Sequence, residues 1–84
     1  MDERLKEMLD HYEITKTLKE YSHGCDRCDE GRMRSVYLAD SWDDHGFRRA
    51  AGPEFVRQMI PEILATTKTL SHMLGQSLIN VRDD

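Results

Sequence analysis

The sequence predicts an α+β fold, helices packed on one side of a sheet. Three observations predict it. Residues 2–23 repeat apolar side chains at three- to four-residue steps with no Gly or Pro between them. Gly52-Pro53 opens a second strong helical pattern. The residues after it alternate instead, as strands do. Helices followed by strands in chain order place the helices together on one face.

In the first segment Leu5, Met8, Leu9, Tyr12, Ile14, Leu18 and Tyr21 form the apolar stripe, and Lys6, Glu7, Asp10, Glu13, Lys16, Lys19 and Glu20 fill the gaps. The pattern predicts one buried and one solvated face. Gly24 weakens this helix without ending it. Residues 29–38 read as a second, shorter helix, N-capped by Asp29, with Met33, Val36 and Tyr37 as its apolar face. Ala39–Gly52 is polar and irregular, a short strand at most, with Trp42 and Phe47 as expected anchors. In the third helix Phe55, Val56, Met59, Ile60, Ile63 and Leu64 share a face, and Pro61 is expected to bend or interrupt it. Thr69–Leu74 and Leu78–Val81 read as strands, with Gly75 between them as a bulge.

Composition narrows the function classes. The chain has 84 residues, 38 % of them hydrophobic, and a net charge of −4. That is one domain at most. An acidic chain is a poor partner for phosphate backbones, so nucleic acid is not expected. No apolar run approaches the ~18 residues of a membrane span, so no membrane is expected either. Met-Asp-Glu-Arg leads into no apolar segment, which argues against a secretory signal. Two cysteines are no disulfide framework, and a cytoplasmic location fits.

Two groups of residues invite chemistry. Cys25-Asp26-Arg27-Cys28 is a CxxC, but it has neither the companion spacing of a zinc site nor the βαβ setting of a redox site. It reads as two small residues one helical turn apart. The other group is Tyr21, Asp26 and His72. Tyr21 continues an apolar stripe, Asp26 reads as a cap or turn residue, and His72 lies between Leu70 and Leu74 on one alternating face. A histidine on an apolar face needs a partner for each ring nitrogen. A carboxylate on one nitrogen leaves the other as a basic lone pair, the arrangement of an oriented general base.

Tyr12 through Val81, 70 of the 84 residues, resembles the SnoaL-like branch of the nuclear transport factor 2-like superfamily. The resemblance rests on four runs. They are Tyr21-Ser22-His23-Gly24-Cys25-Asp26 with Arg27–Arg32 after it, Tyr37–Gly46 with its acidic and aromatic residues, Ala51–Val56 opening the third helix, and Ser71–Gln76. It implies a cone-shaped fold of three N-terminal helices on a curved antiparallel sheet that encloses an apolar pocket. It implies lyase or isomerase chemistry of the kind found in bile acid 7α-dehydratase, scytalone dehydratase and hexachlorocyclohexane dehydrochlorinase, on a steroid-, polyketide- or terpenoid-like compound. The catalytic positions carried over are Asp26 and His72 as a dyad, with Tyr21 as a proton or hydrogen-bond donor. Tyr12, Trp42, Phe47, Phe55 and Met73 become substrate-binding pocket walls. No cofactor and no metal are implied, and the partners are an apolar small molecule and a second or third copy of the chain. His45 is expected in solvent. The competing reading is a non-catalytic small-molecule-binding or dimerisation module of the same fold. Elements in family order that stop at Asp83-Asp84, where a hairpin turn would begin, lead us to expect that residues 1–84 are the N-terminal portion of a single domain of roughly 130–150 residues.

Overall fold

The computed structural model describes residues 1–82. Its elements are α1 (Glu3–Asp26), α2 (Glu30–Arg34), β1 (Trp42–Asp44), β2 (Arg49–Ala51) and α3 (Gly52–Thr66). The class is α+β, and among the described residues the sheet is a two-stranded antiparallel hairpin.

Asp2 opens α1 by accepting from the Arg4 N–H at 2.7 Å. The helix runs through Gly24 to Asp26. A two-bond motif then stops it. The Asp29 N–H donates to the Gly24 carbonyl at 2.8 Å and the Cys28 N–H to the Cys25 carbonyl at 3.2 Å. Cys28 turns the chain with φ +53°, a left-handed position usually filled by Gly. The two cysteines are therefore not one turn apart on a helix. Cys25 is inside it and buried, whereas Cys28 lies beyond its end.

The stripe of α1 is not buried along its length. Leu5, Met8, Leu9 and Tyr12 are exposed, and only the last turns, with Ser22, Gly24 and Cys25, are packed. The reason is the position of α2, which lies across the C-terminal turns of α1. The first turns border a shallow depression shared with Ile79–Val81.

Asp29 caps α2 through the Arg32 N–H at 3.1 Å. The helix ends at Arg34 rather than continuing to residue 38, and single turns carry the chain on to Tyr37. Met33 enters the core with 1 % of its surface exposed. In the hairpin Asp43 opposes Ala50 and Trp42 opposes Ala51. Alternation sends Asp43 and Ala50 inward and leaves Trp42 outside. Trp42 and Phe47, the expected anchors, are 68 % and 71 % exposed. The hairpin is anchored instead by Arg48, whose guanidinium reaches Gln58 at 3.1 Å and pairs with Glu62 one turn further along α3.

Pro53 sits in the first turn of α3, and the Gly52 N–H donates to the Ser41 carbonyl at 3.0 Å. Phe55, Val56, Ile60 and Ile63 are buried. Leu64 is exposed. Pro61 does not interrupt the helix, which continues to Thr66. Pro61 is exposed, so its ring and the missing N–H face water, where they disturb no packing. The core gathers Cys25, Met33, Ala50, Phe55, Val56, Ile60 and Ile63.

Residues 67–82 form no strand, which corrects the expected strands at 69–74 and 78–81 and the bulge at Gly75. A strand exists only through a ladder partner, and neither β1 nor β2 pairs with this segment. The expected turn at Asp83-Asp84 lies outside the described residues. Among the described residues no helix is long and apolar enough to cross a membrane.

Candidate functional site

Asp26 is the last residue of α1, held there by the turn that Cys28 makes. Its carboxylate takes two bonds from one distant residue. Oδ2 accepts the His72 backbone N–H at 2.7 Å, and Oδ1 lies 2.5 Å from His72 Nδ1. Ionised carboxylates only accept, so Nδ1 carries the proton and Nε2 is the free lone pair. The Asp26 side chain is 11 % exposed and that of His72 37 %. Burial alone would push the Asp26 carboxyl up, but the His72 N–H, its ring and the Arg27 charge outweigh it and hold the group below its ordinary value. Asp26 is therefore ionised at neutral pH.

His72 borders a cleft of about 320 Å³. Tyr21, Cys25, Met33, Phe55 and Met59 line it with His72, and His45 faces it from the hairpin. Its volume is at the low end of small-molecule pockets, about 300–1,000 Å³. The Tyr21 ring meets the His72 ring edge-on, centroids 6.3 Å apart, and meets Tyr37 at the same distance. Burial raises the Tyr21 hydroxyl above its ordinary value, as do the Cys25 and Asp43 charges, with Tyr37 acting the other way. Tyr21 is thus a protonated donor at neutral pH.

Of the five expected pocket walls, Phe55 lines this cleft. Tyr12 stands over a separate depression on α1 with His11, Thr15, Lys16 and Lys19. Trp42 is on the outer face of the hairpin, Phe47 is at its tip, and Met73 is 95 % exposed.

His45 is exposed, as expected, with 38 % of its side-chain surface open, but one face of its ring is covered. Its ring stacks on Phe55 with centroids 4.4 Å apart and planes 17° from parallel. Its Nδ1 contacts Asp43 Oδ1, and the Tyr37 hydroxyl donates to Asp43 Oδ2 at 2.5 Å. Burial and the Asp43 carboxylate push the Tyr37 hydroxyl far above its ordinary value. Sequence reasoning missed Tyr37, Asp43 and His45 as a group. The available signal was the Asp43-Asp44-His45 run ahead of Gly46, but its use needed the strand's end and inward face to be known.

Cys25 Sγ, an Asp26 oxygen and a His72 ring nitrogen lie within 4.8 Å of one another. As a metal centre this cluster is handicapped. Burial first, then the Asp26 and Cys28 charges, raise the Cys25 thiol above its ordinary value. Asp26 Oδ1 already holds His72 Nδ1, and Oδ2 already accepts the His72 backbone N–H.

A family model described as a SnoaL-like domain matches residues 6–84. No curated protein and no solved structure is significantly similar to the chain.

Proposed function

The chain belongs to the SnoaL-like domain family, a small-molecule-binding branch of the nuclear transport factor 2-like superfamily, and on that premise we propose that it is a lyase or isomerase. In this reading it acts by Asp26-assisted His72 general-base catalysis on an apolar steroid-, polyketide- or terpenoid-like compound. The observation that carries the reading is the pair of hydrogen bonds from His72 to Asp26, which fixes ring orientation and tautomer together at the edge of a cleft.

His72 Nε2 removes a proton from carbon next to a carbonyl. Asp26 balances the imidazolium that forms. Tyr21, kept protonated by burial, donates to the developing enolate oxygen. Phe55 and Met59 give the cleft apolar walls, which strengthen these charge interactions. A base placed this way contributes about 10²–10⁴-fold. A cytoplasmic location and assembly into a dimer or trimer belong to the same proposal. Exposed Trp42, Leu64 and Met73 support self-association, which sedimentation checks directly.

The test is exchange of the α-protons of 1-tetralone in deuterium oxide, followed by NMR. The protein should accelerate exchange, and His72→Gln should remove about 10²-fold or more of that acceleration. Equal rates for the two proteins would end the base assignment and leave the binding-module reading.

A further inference from the structure

The cleft has a second histidine held in the same way as the first. His45 and His72 each give Nδ1 to a carboxylate, Asp43 and Asp26 respectively. Each therefore keeps Nε2 for a ligand, and both rings border one cleft. The His45 support is deep for a residue at a hairpin tip. Asp43 is fixed from behind by the Tyr37 hydroxyl at 2.5 Å. Phe55, 1 % exposed, holds one face of the His45 ring, and Phe47 meets it edge-on at 6.0 Å. The His45 backbone N–H donates to the Arg48 carbonyl at 2.9 Å, and Arg48 is tied to α3 through Gln58 and Glu62. Glu62 also borders the cleft, but its charge is met by Arg48. Backbone, ring face and ring nitrogen are all constrained, far more than a solvated loop histidine requires.

We propose that His45 is the general acid of this cleft, the group that gives the departing hydroxyl its proton when the chain eliminates water from a β-hydroxy carbonyl compound. The proposal rests on the base assignment to His72. The step requires the basic Nε2 lone pair on His72 and a proton on Nε2 of His45. His72 Nε2 takes the α-proton, and the C–H electron pair becomes the new C=C bond. The C–O bond breaks with its pair remaining on oxygen, and that oxygen takes the Nε2 proton of His45 and leaves as water. One proton has moved from His45 to His72, and solvent exchange restores both. Asp43 stabilises the protonated His45 before the step, and Asp26 stabilises the protonated His72 after it. Tyr21 keeps its role as donor to the carbonyl oxygen. A simple isomerase needs a base and an enolate donor, so two carboxylate-held imidazoles on one cleft suit a reaction that takes one proton and gives another.

The experiment compares three probes on the wild-type protein, His45→Gln and His72→Gln. Exchange into 1-tetralone reports α-proton removal alone. Dehydration of 3-hydroxy-1-tetralone, read as fluorescent 1-naphthol, requires a proton for the leaving oxygen. Elimination of acetate from 3-acetoxy-1-tetralone gives the same product with a leaving group that needs none. His45→Gln should slow dehydration by about 10²-fold or more and slow acetate loss at least tenfold less than that. His72→Gln should slow all three reactions. Acetate loss also shows whether the cleft of the His45 variant is still assembled. Equal slowing of dehydration and acetate loss, or no slowing of either, overturns the assignment of His45 and leaves His72 standing. Exchange by the wild-type protein without dehydration does the same. A wild-type protein that accelerates none of the three overturns the base assignment, and the acid assignment falls with it.

Discussion

Gly24→Ala and Gly31→Ala should change stability in opposite directions. In an open helix, replacing Gly by Ala stabilises by about 0.5–1 kcal/mol, because Gly loses more backbone entropy on folding. Gly31 in α2 meets that condition. The nearest atom to an added Cβ is Asp29 Oδ1, 3.8 Å away, an ordinary contact. Gly24 does not. Its Cβ would lie 2.6 Å from the Met33 backbone nitrogen, 2.9 Å from the Met33 Cα and 3.0 Å from its Cβ. No flexible side-chain end can move aside there. The obstacle is the backbone of α2, and Met33 is itself clamped in the core. Relief therefore means displacing α2 from α1, at an overpacking cost of about 1–3 kcal/mol. After the helix gain is subtracted, Gly24→Ala should lose about 1–2 kcal/mol. The helix gain is common to both, so the two variants should differ by the overpacking cost, about 1–3 kcal/mol. Urea unfolding measures this directly. With a slope of about 1 kcal/mol per molar for a small chain, their midpoints should stand about 1–3 M apart. Gly24→Ala as stable as the wild type would refute the close approach of α1 and α2 on which the placement of Asp26 depends.

Three further predictions use the same structure. Asp26 is held below its ordinary value, so its contribution to stability is present above the unfolded carboxyl value, about 3.9, and is lost as pH falls through the lower folded value. Urea midpoints at pH 7 and pH 2 should therefore converge for wild type and Asp26→Asn at the acid end, and a gap that stays constant would contradict the depressed carboxyl. Met33→Ala, at a site 1 % exposed, should cost about 2–5 kcal/mol, whereas Met73→Ala, at 95 % exposure, should stay within about 0.5 kcal/mol; thermal melts rank the two. In Cys28→Ser, the remaining Cys25 thiol is buried and raised above its ordinary value, so its reaction with a disulfide reagent should follow the unfolding rate, and a fast reaction in native buffer would show that Cys25 is accessible.

Local signals were readable and distant partners were not. The cap at Asp29, the helix start marked by Pro53 and the buried face of α3 follow from spacing alone, because each depends on residues within a turn or two. The extent of burial along α1 does not. Leu5 and Leu18 both belong to the apolar stripe and both stay exposed, because burial along α1 depends on where α2 and residues 67–82 run. The tail misled for the same reason. Leu70, His72 and Leu74 alternate as a strand would, but alternation describes which side a residue faces, not whether a neighbouring strand is there to pair. The hairpin was half-legible. Gly46, with φ +79°, marks its turn, while the inward side of Asp43 followed only from its register with Ala50.

Asp26 shows why the site resisted reading by spacing. Both a bland and a chemical role were open for it, and the structure makes them one arrangement. Its Oδ2 anchors the backbone of a segment that forms no strand, and its Oδ1 orients the ring on that same residue. Anchoring without orientation would leave the His72 ring free to turn. Orientation without anchoring would cost the entropy of fixing a loose chain for each bond made. The two bonds share that cost, since the N–H contact brings the ring within reach of the second oxygen. The substitutions should therefore separate the roles. Asn retains one acceptor oxygen and can keep the segment attached while losing the carboxylate that balances an imidazolium. Ala loses both. Protection of the His72 amide from hydrogen exchange should persist in Asp26→Asn and vanish in Asp26→Ala, while general-base activity falls in both. If the amide is equally protected in all three proteins, the carboxylate is not what holds the segment.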